Sequence, residues 1–353
     1  FTTATDSNNT AVGFQAGVAV QTGRFNTFVG SEAGDAVTTG VANVAIGYNA
    51  LSTEDTGSKS VAVGANALTT QNNDAENFNV GVGDAAGRNI TTGLNNALIG
   101  GEAGDALTDA DFNVAVGTYA LSSDTLGSNS VAVGHAALFS QNFTTATNAN
   151  NTAVGFEAGN DVTTGDANTL IGAFAGDAIT TGGANTVVGK SAFSSNTGAF
   201  SNTAIGHRAL ENFNVTTATS TYNVTMGCDA GRQITTGVQN TLIGGLAGDA
   251  LTDADNNVAL GRAALTSDTL GSKSIAIGDS ALNVQNFTTA TDTHNVAIGH
   301  AAGAAVTTGF YNTLIGGLAG DVLSDADYNT ALGTFSLSAD TLGSKSTALG
   351  YGT

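Results

Sequence analysis

Residues 9–13, Asn-Thr-Ala-Val-Gly, are the first of twenty variants of one pattern, and the last variant is Ser-Thr-Ala-Leu-Gly at residues 346–350. A fixed internal period constrains the architecture more than any other sequence feature, because each repeat must bury its apolar face against its neighbours. The glycines that end the motif recur once per repeat, and every fourth spacing is longer, as between Gly134 and Gly155. Two periods are therefore nested: a coil of about 17 residues and a super-repeat of four coils.

A coil of about 17 residues is too short for a pair of helices, which takes roughly 33 to 47 residues in helical repeat families. Counting from the motif glycine, position −1 is apolar and position −3 is almost always Val, Ile or Thr, as in Ile46 and Val44. Because side chains alternate along a strand, we expect −1 and −3 to point inward and −2 to point outward. The pattern predicts an all-β protein, a parallel β-roll or β-solenoid of about twenty coils.

The residues after the motif glycine predict a second short strand and a closing turn. Position +3 is Ala in every coil except at Ser336 and at the last residue, Thr353, and such regularity indicates a tightly packed inner corner. Many coils close with Thr-Thr-Gly, as at residues 38–40, and that glycine is expected to supply a positive φ. The fourth coil carries insertions, such as residues 141–147 and 285–291, which we expect to bulge from one edge.

The period predicts one continuous repeat domain over residues 1–353, with super-repeats at about 1–70, 71–142, 143–214, 215–286 and 287–353. Phe1 falls inside a repeat and Thr353 just past a repeat glycine, so we expect the chain to be a fragment of a longer fibre. The sequence contains no apparent signal peptide. It also contains no apolar run that approaches the length of a membrane-spanning helix.

Position −2 is Ala in most coils and becomes large in the second coil of each super-repeat. If that face points outward, it forms an apolar stripe, and exposed apolar stripes usually mark an interface. The predicted interface between chains therefore comprises Phe28, Leu98, Leu170, Leu242 and Leu314. In the alternative arrangement, the same face packs inward in a flattened monomeric solenoid.

The net charge of −20, from 29 acidic and 9 basic residues, argues against nucleic acid as a partner, because phosphate binding needs clustered Lys and Arg. It also disfavours contact with anionic membranes. One aspartate position recurs only in the second coil, which spaces its copies about 19 Å apart at a strand separation of about 4.8 Å, beyond the Debye length of about 8–10 Å. These residues are Asp35, Asp105, Asp177, Asp249 and Asp321. The super-repeat thus spreads negative charge, although duplication history alone could produce the same period.

The candidate chemical groups in the sequence predict no catalytic, metal or cofactor site. Paired carboxylates at Asp109 and Asp111, repeated at 253–255 and 325–327, could hold Ca²⁺. Equivalent turns read Thr-Thr-Gly, so we interpret these as turns that tolerate Asp. His135, His207 and His300 follow a motif glycine at a variable position that is expected to face solvent. No spacing indicates a nucleophile elbow, and the single Cys228 excludes an intrachain disulfide.

The pattern Asn-Thr-Ala-Val-Gly-x-x-Ala-Gly at residues 9–17, with its second form at residues 130–138, resembles the YadA-like head repeats of trimeric autotransporter adhesins. It is similar also to the Asn-Thr-Ala-Ile-Gly repeats of bacterial and phage fibre proteins. The resemblance implies a left-handed β-roll, three chains packed side by side as a homotrimer, and a fibre exposed at a cell or virion surface. These coils are longer than those of the YadA-like repeat, which affects the expected trimer geometry.

The expected function is that of an extracellular structural or adhesive fibre segment without catalysis, with a host-surface or matrix ligand as a possible partner besides its own copies. The alternative is a phage tail fibre or tailspike shaft that binds host-surface glycans. A polysaccharide depolymerase would need a break in the period where acidic side chains converge, and no such break is seen. An ice-binding solenoid would need a flat Thr array in every coil, and Thr pairs occur in fewer than half.

Overall fold

The computed structural model describes residues 6–353, and between those residues the chain is all-β, with no helix. It forms a parallel β-solenoid of about twenty coils, which confirms the predicted fold class. The tail of the insertion expected at residues 1–5 lies outside the described residues. The chain divides into two compact units, Phe1–Phe174 and Ala175–Thr353. The single continuous domain and the left-handed winding stay predictions.

Unit one contains β1 (Thr10–Val12), β2 (Thr27–Val29), β3 (Val44–Ile46), β4 (Val61–Val63), β5 (Val80–Val82), β6 (Ala97–Ile99), β7 (Val114–Val116), β8 (Gly127–Ser128), β9 (Val131–Val133), β10 (Thr147–Asn148), β11 (Thr152–Val154) and β12 (Thr169–Ile171). The three-residue strands form one parallel ladder, in which each strand pairs in register with that of the next coil. For example, Ala45 lies opposite Ala62.

Unit two contains β13 (Thr186–Val188), β14 (Ala199–Phe200), β15 (Thr203–Ile205), β16 (Thr219–Ser220), β17 (Val224–Met226), β18 (Thr241–Ile243), β19 (Val258–Leu260), β20 (Gly271–Ser272), β21 (Ile275–Ile277), β22 (Thr291–Asp292), β23 (Val296–Ile298), β24 (Thr313–Ile315), β25 (Thr330–Leu332) and β26 (Thr347–Leu349). Its three-residue strands form a ladder of the same kind.

The insertions of the fourth coils form short parallel pairs with the preceding coil, β8 with β10, β14 with β16 and β20 with β22. In the insertion at 141–147, Gln141 and Phe143 are buried, whereas residues 144–146 are exposed. The predicted bulge is therefore confined to the middle of the insertion, and its two ends are tied into the solenoid.

The prediction of which strand face is buried is wrong. In the three-residue strands after β1, the −2 residue is buried, and the −1 and −3 side chains are half-buried or exposed. Val, Ile and Thr at −1 and −3 reflect the preference of β-branched residues for a pleated, half-buried surface. Their presence therefore does not indicate which face of the strand is buried. Small Ala at −2 suits a core only a few side chains thick, because it lets the opposite wall of the coil approach.

The five side chains predicted to form the interface between chains are instead fully buried within the solenoid core. Phe28, Leu98, Leu170, Leu242 and Leu314 each have no exposed surface. The prediction that these side chains point outward is therefore wrong. The −2 face packs inward, as in the alternative arrangement. An interface between chains must use other side chains.

The motif glycine is required by the close approach of successive coils. Its φ is about +138° at Gly100, and a Cβ added there would lie 2.5 Å from the carbonyl oxygen of Gly117. The glycine of the Thr-Thr-Gly turn does not have the expected positive φ, but a Cβ at Gly40 would lie 2.4 Å from the carbonyl oxygen of Gly57. At both positions, the absence of a side chain allows the backbone of the next coil to approach closely.

The second short strand predicted after the glycine is wrong, because that segment forms a turn in every coil. Positions +2 and +4 have positive φ, as at Asn49 (60°) and Leu51 (53°), and alternating left-handed residues cannot form a strand. The turns of successive coils still bond to each other, as when the Leu51 amide donates to the Ala67 carbonyl at 3.0 Å. The predicted inner corner is confirmed, since Ala33, Ala67 and their equivalents at +3 are buried in every coil except the first and the last.

Candidate functional site

The outward face of each strand ladder carries an apolar stripe formed by the −1 side chains, which lie beside −3 positions that are Thr in ten of the twenty coils. Ile46 and Ile99 in unit one are 38% and 42% exposed, and Leu260 in unit two is 44% exposed. The stripe consists of side chains repeated once per coil, because the strands are in register. Contiguous apolar surface of this kind is typical of an interaction site.

A ladder of asparagines at position −4 was not recognised in the sequence. The side chain of Asn43 is fully buried, donates from Nδ2 to the Gly57 carbonyl at 2.8 Å, and accepts at Oδ1 from the Ser60 amide at 2.9 Å. Each such asparagine braces its own coil and joins it to the next. The signal was the recurrence of Asn, or Ser in most fourth coils, immediately before position −3.

A second buried polar set lies where the fourth coil has Ser instead of Asn at −4. Gln141 Nε2 donates to Asp124 Oδ2 at 2.5 Å and to Ser130 Oγ at 3.1 Å, and Gln141 Oε1 accepts from Asn151 Nδ2 at 2.8 Å. The Gln side chain thus occupies the role of the missing Asn. All four residues are fully buried, so this set is structural.

The Asp-Ala-Asp turns are tied to the preceding coil. Asp109 Oδ1 accepts a hydrogen bond from Thr92 Oγ1 at 2.6 Å, and Asp111 Oδ1 accepts one from the Leu94 amide at 2.7 Å. The turns at 253–255 and 325–327 make the same contacts. These bonds support the interpretation of the turns as structural and give each carboxylate a role within the ladder.

Among the exposed aromatic side chains, two clusters contain stacked rings. In unit one, His135 stacks on Phe156 with ring centroids 5.3 Å apart, and Tyr119 contacts His135 edge-on at 6.1 Å. In unit two, the rings of His294, Tyr311 and Tyr328 stack in succession at 4.9 and 5.3 Å. Aromatic rings of this kind combine an apolar face with a polar tip, which suits them to recognition.

The histidines His135, His207 and His300 are exposed, as predicted from their variable position. His207 nevertheless lies in a group that the sequence interpretation did not find. Among residues 6–353, one group of three His, Cys, Asp or Glu side chains converges closely enough to hold a metal ion, and it consists of His207, Cys228 and Asp229. The coil spacing was the available signal, because it places residues 207 and 228 at the same position of adjacent coils.

In that group, Cys228 Sγ lies 3.9 Å from His207 Nδ1 and 3.3 Å from Asp229 Oδ2. Asp229 is buried and pairs with Arg208 at 2.8 Å and with Arg232 at 4.0 Å. The hydrogen bond to Asp229 raises the pKa of the Cys228 thiol above its ordinary value of 9.0, because the carboxylate stabilises the protonated sulfur. The free thiol is therefore not an activated nucleophile.

Comparison with protein-family models and with curated proteins gave no match to this chain. Between residues 6 and 353 there is also no helix long and apolar enough to cross a membrane. The fold places this chain in the class of parallel β-solenoid repeat proteins.

Proposed function

We propose that this chain is a rigid segment of an extracellular structural or adhesive fibre, exposed at a cell or virion surface and without catalysis, which assembles as a homotrimer. The observation that carries the proposal is the regular stack in each unit, with a continuous core inside and an apolar stripe outside. Within each unit, stiffness follows because each coil is joined to the next by backbone hydrogen bonds and by the asparagine ladder.

The apolar stripe supports assembly with identical chains. Its side chains repeat once per coil, so three parallel copies around a three-fold axis would bring the same side chains of each chain together in every coil. Half-exposed aliphatic side chains such as Ile99 and Ile243 gain from burial at about 25 cal/mol per Å². Because the contact is repeated along the ladder, many weak contacts add up.

The mass of the purified chain in sedimentation equilibrium tests the homotrimer. We expect three times the 34.7 kDa chain mass, and we expect Ile99→Glu combined with Ile243→Glu to shift the protein towards monomer, because buried unpaired carboxylates oppose association. Asn95→Glu with Gln239→Glu, which adds the same charge at position −5, is the matched control. A monomeric wild-type chain at all concentrations would rule out the trimer.

The alternative function, a phage tail fibre or tailspike shaft that binds host-surface glycans, is favoured by the exposed aromatic clusters. Exposed, stacked rings that carry hydroxyl groups, as at Tyr311 and Tyr328, offer apolar and hydrogen-bonding contacts to a sugar. A glycan array probed with wild type and with Tyr311→Ala/Tyr328→Ala tests it. Binding that the double substitution abolishes would favour this alternative, and an array without signal would favour a purely structural segment.

A further inference from the structure

The group formed by His207, Cys228 and Asp229 offers one nitrogen, one sulfur and one oxygen donor, all within 4.8 Å of one another. His207 and Cys228 are exposed on adjacent coils, whereas Asp229 is only 8% exposed. In tetrahedral zinc sites the metal lies about 2.3 Å from sulfur and about 2.0–2.2 Å from nitrogen or oxygen, so donor atoms are separated by about 3.3–3.7 Å. The separations of 3.3 Å and 3.9 Å are close to that requirement.

We propose that His207 Nδ1, Cys228 Sγ and Asp229 Oδ2 form a binding site for a divalent transition metal, with Zn²⁺ as the best match. A mixed nitrogen, sulfur and oxygen donor set suits a borderline-soft cation. The exposed side of the group leaves a fourth position for water. The histidine binds with its proton on Nε2, since Nδ1 must present its lone pair to the metal.

The two neighbouring arginines fix the buried ligand. Arg208 Nε pairs with Asp229 Oδ1 at 2.8 Å, and Arg208 Nη2 donates to Oδ2 at 3.2 Å. Arg232 approaches Oδ1 from the other side at 4.0 Å. A carboxylate oxygen has two lone pairs, so Oδ2 can bind a metal while it keeps one arginine contact. The positive charge nearby lowers the affinity, and we therefore expect modest rather than structural-site binding.

The same positions in other super-repeats show that the group is not a by-product of the repeat. The junction of coils that corresponds to 207, 228 and 229 has His135, Phe156 and Glu157 in unit one, where the His stacks on the Phe ring. It has Asp279, His300 and Ala301 near the end of unit two. Within residues 6–353, three donors converge at one junction alone.

Binding releases one proton. The Cys228 thiol, which donates to Asp229 in the metal-free protein, loses that proton to solvent as the sulfur–metal bond forms. No oxidant or reductant takes part.

Titration of the full chain with Co²⁺, under argon and with a phosphine reductant, tests the proposal. We expect a thiolate-to-cobalt charge-transfer band in the near ultraviolet that saturates at one equivalent per chain and is removed by Zn²⁺. Cys228→Ser should abolish the band, and His207→Asn should weaken binding roughly tenfold or more. His135→Asn, at the same register position beside Phe156, is the matched control and should leave binding unchanged.

Absence of the band at excess Co²⁺ would overturn the proposal. So would equal affinity of wild type and His207→Asn, because that result would show binding by the thiol alone. Both substituted residues are exposed, and unchanged thermal unfolding of each variant without metal would confirm that a lost signal is not lost folding. A gain of binding in Phe156→Cys, which places a thiol beside His135, would support the proposal independently.

Discussion

At the residue scale, the motif glycine is the position where the coil tolerates least change. Gly316 has a φ of +138°, and an added Cβ would lie 2.5 Å from both the carbonyl carbon and the carbonyl oxygen of Gly333. The neighbouring Gly317 has no atom within 4 Å of its added Cβ. The two adjacent glycines therefore differ both in backbone conformation, since only Gly316 has a positive φ, and in the space above the backbone.

We predict that Gly316→Ala destabilises unit two by about 3 kcal/mol or more, since a left-handed Ala costs about 1–2 kcal/mol and the contact with backbone adds to it. Gly317→Ala should change the free energy of unfolding by less than about 0.5 kcal/mol. Urea unfolding of both variants measures the difference. Equal destabilisation by the two would contradict the stacking role of the motif glycine.

Glu54 is a buried carboxylate in the polar set of the first super-repeat. It accepts hydrogen bonds from the Gly57 amide at 2.7 Å and from the side chains of Gln71 and Asn77, each at 2.9 Å. Burial, the largest effect, raises its pKa above the ordinary value of 4.5, and these hydrogen bonds oppose the shift. The protonated form therefore favours the folded state more than the ionised form does.

The stabilising effect of Glu54 protonation is complete below pH 4.5 and is lost as the pH rises through the folded-state pKa. We predict that the stability of wild type relative to Glu54→Gln falls between pH 4.5 and pH 7, because only the wild-type side chain ionises. Thermal unfolding across that range measures it. The same substitution at the exposed Glu76 should show no such trend, and a difference that rises with pH would contradict the prediction.

At the scale of the element, the four-coil period has a packing reason. The large −2 side chain of the second coil fills the space above the glycine at +4 in the first and second coils: Leu98 would contact a Cβ added at Gly87 or Gly104 at 2.7–2.8 Å. In the third and fourth coils the sizes are reversed, with Ala115 at −2 and Leu121 at +4, both buried. The core volume is thus kept constant, because a large residue at position −2 accompanies a small one at position +4, and a small residue at −2 accompanies a large one at +4.

The buried polar set varies in the same concerted way. In the third super-repeat, the fourth coil has Asn202 at −4 instead of Ser, and the positions of Asp124 and Gln141 are taken by Asn196 and Phe213. Phe213 stacks on Phe193 at 5.8 Å, and Asn202 rejoins the asparagine ladder through Asn185 at 3.2 Å. The carboxylate, the hydroxyl group and the Gln amide of this set are therefore present together in one super-repeat and absent together in another.

We predict that Gln141→Phe alone destabilises unit one by about 1–3 kcal/mol, because Asp124 Oδ2 is left buried without the hydrogen bond from Gln141, while Oδ1 keeps those from the Gly127 and Phe143 amides. The triple exchange Asp124→Asn, Ser130→Asn and Gln141→Phe reproduces the set found in the third super-repeat and should recover roughly half of that loss or more. Urea unfolding of the single and triple variants measures the coupling. Additive losses in the triple variant would contradict a cooperative set.

At the scale of the whole molecule, the net charge of −20 destabilises the folded state through self-repulsion. We predict that the midpoint of thermal unfolding rises when NaCl is increased from about 10 mM to about 150 mM, because the Debye length falls from about 30 Å to about 8 Å. Choline chloride at equal ionic strength should act equally, which separates screening from ion binding. A constant or falling midpoint would contradict the prediction.

The sequence by itself determined the β-solenoid. The recurrence of the motif glycine once per coil, from Gly13 to Gly350, requires stacked coils, and the nearly invariant Ala at +3 correctly predicted a tight inner corner. These features can be predicted because they result from contacts between copies of the same residue, and every copy repeats the signal. The exposure of His135, His207 and His300 was predictable for the same reason, because each stands directly after a motif glycine.

Only the tertiary structure decided which face of the strand is the core. The two faces of a three-residue strand, −1 with −3 and −2 alone, are similarly apolar here. Val at −1 is chemically as suited to burial as Ala at −2. The choice depends on the opposite wall, where the size of residues such as Gly104 and Leu121 leaves room for one side chain and not another.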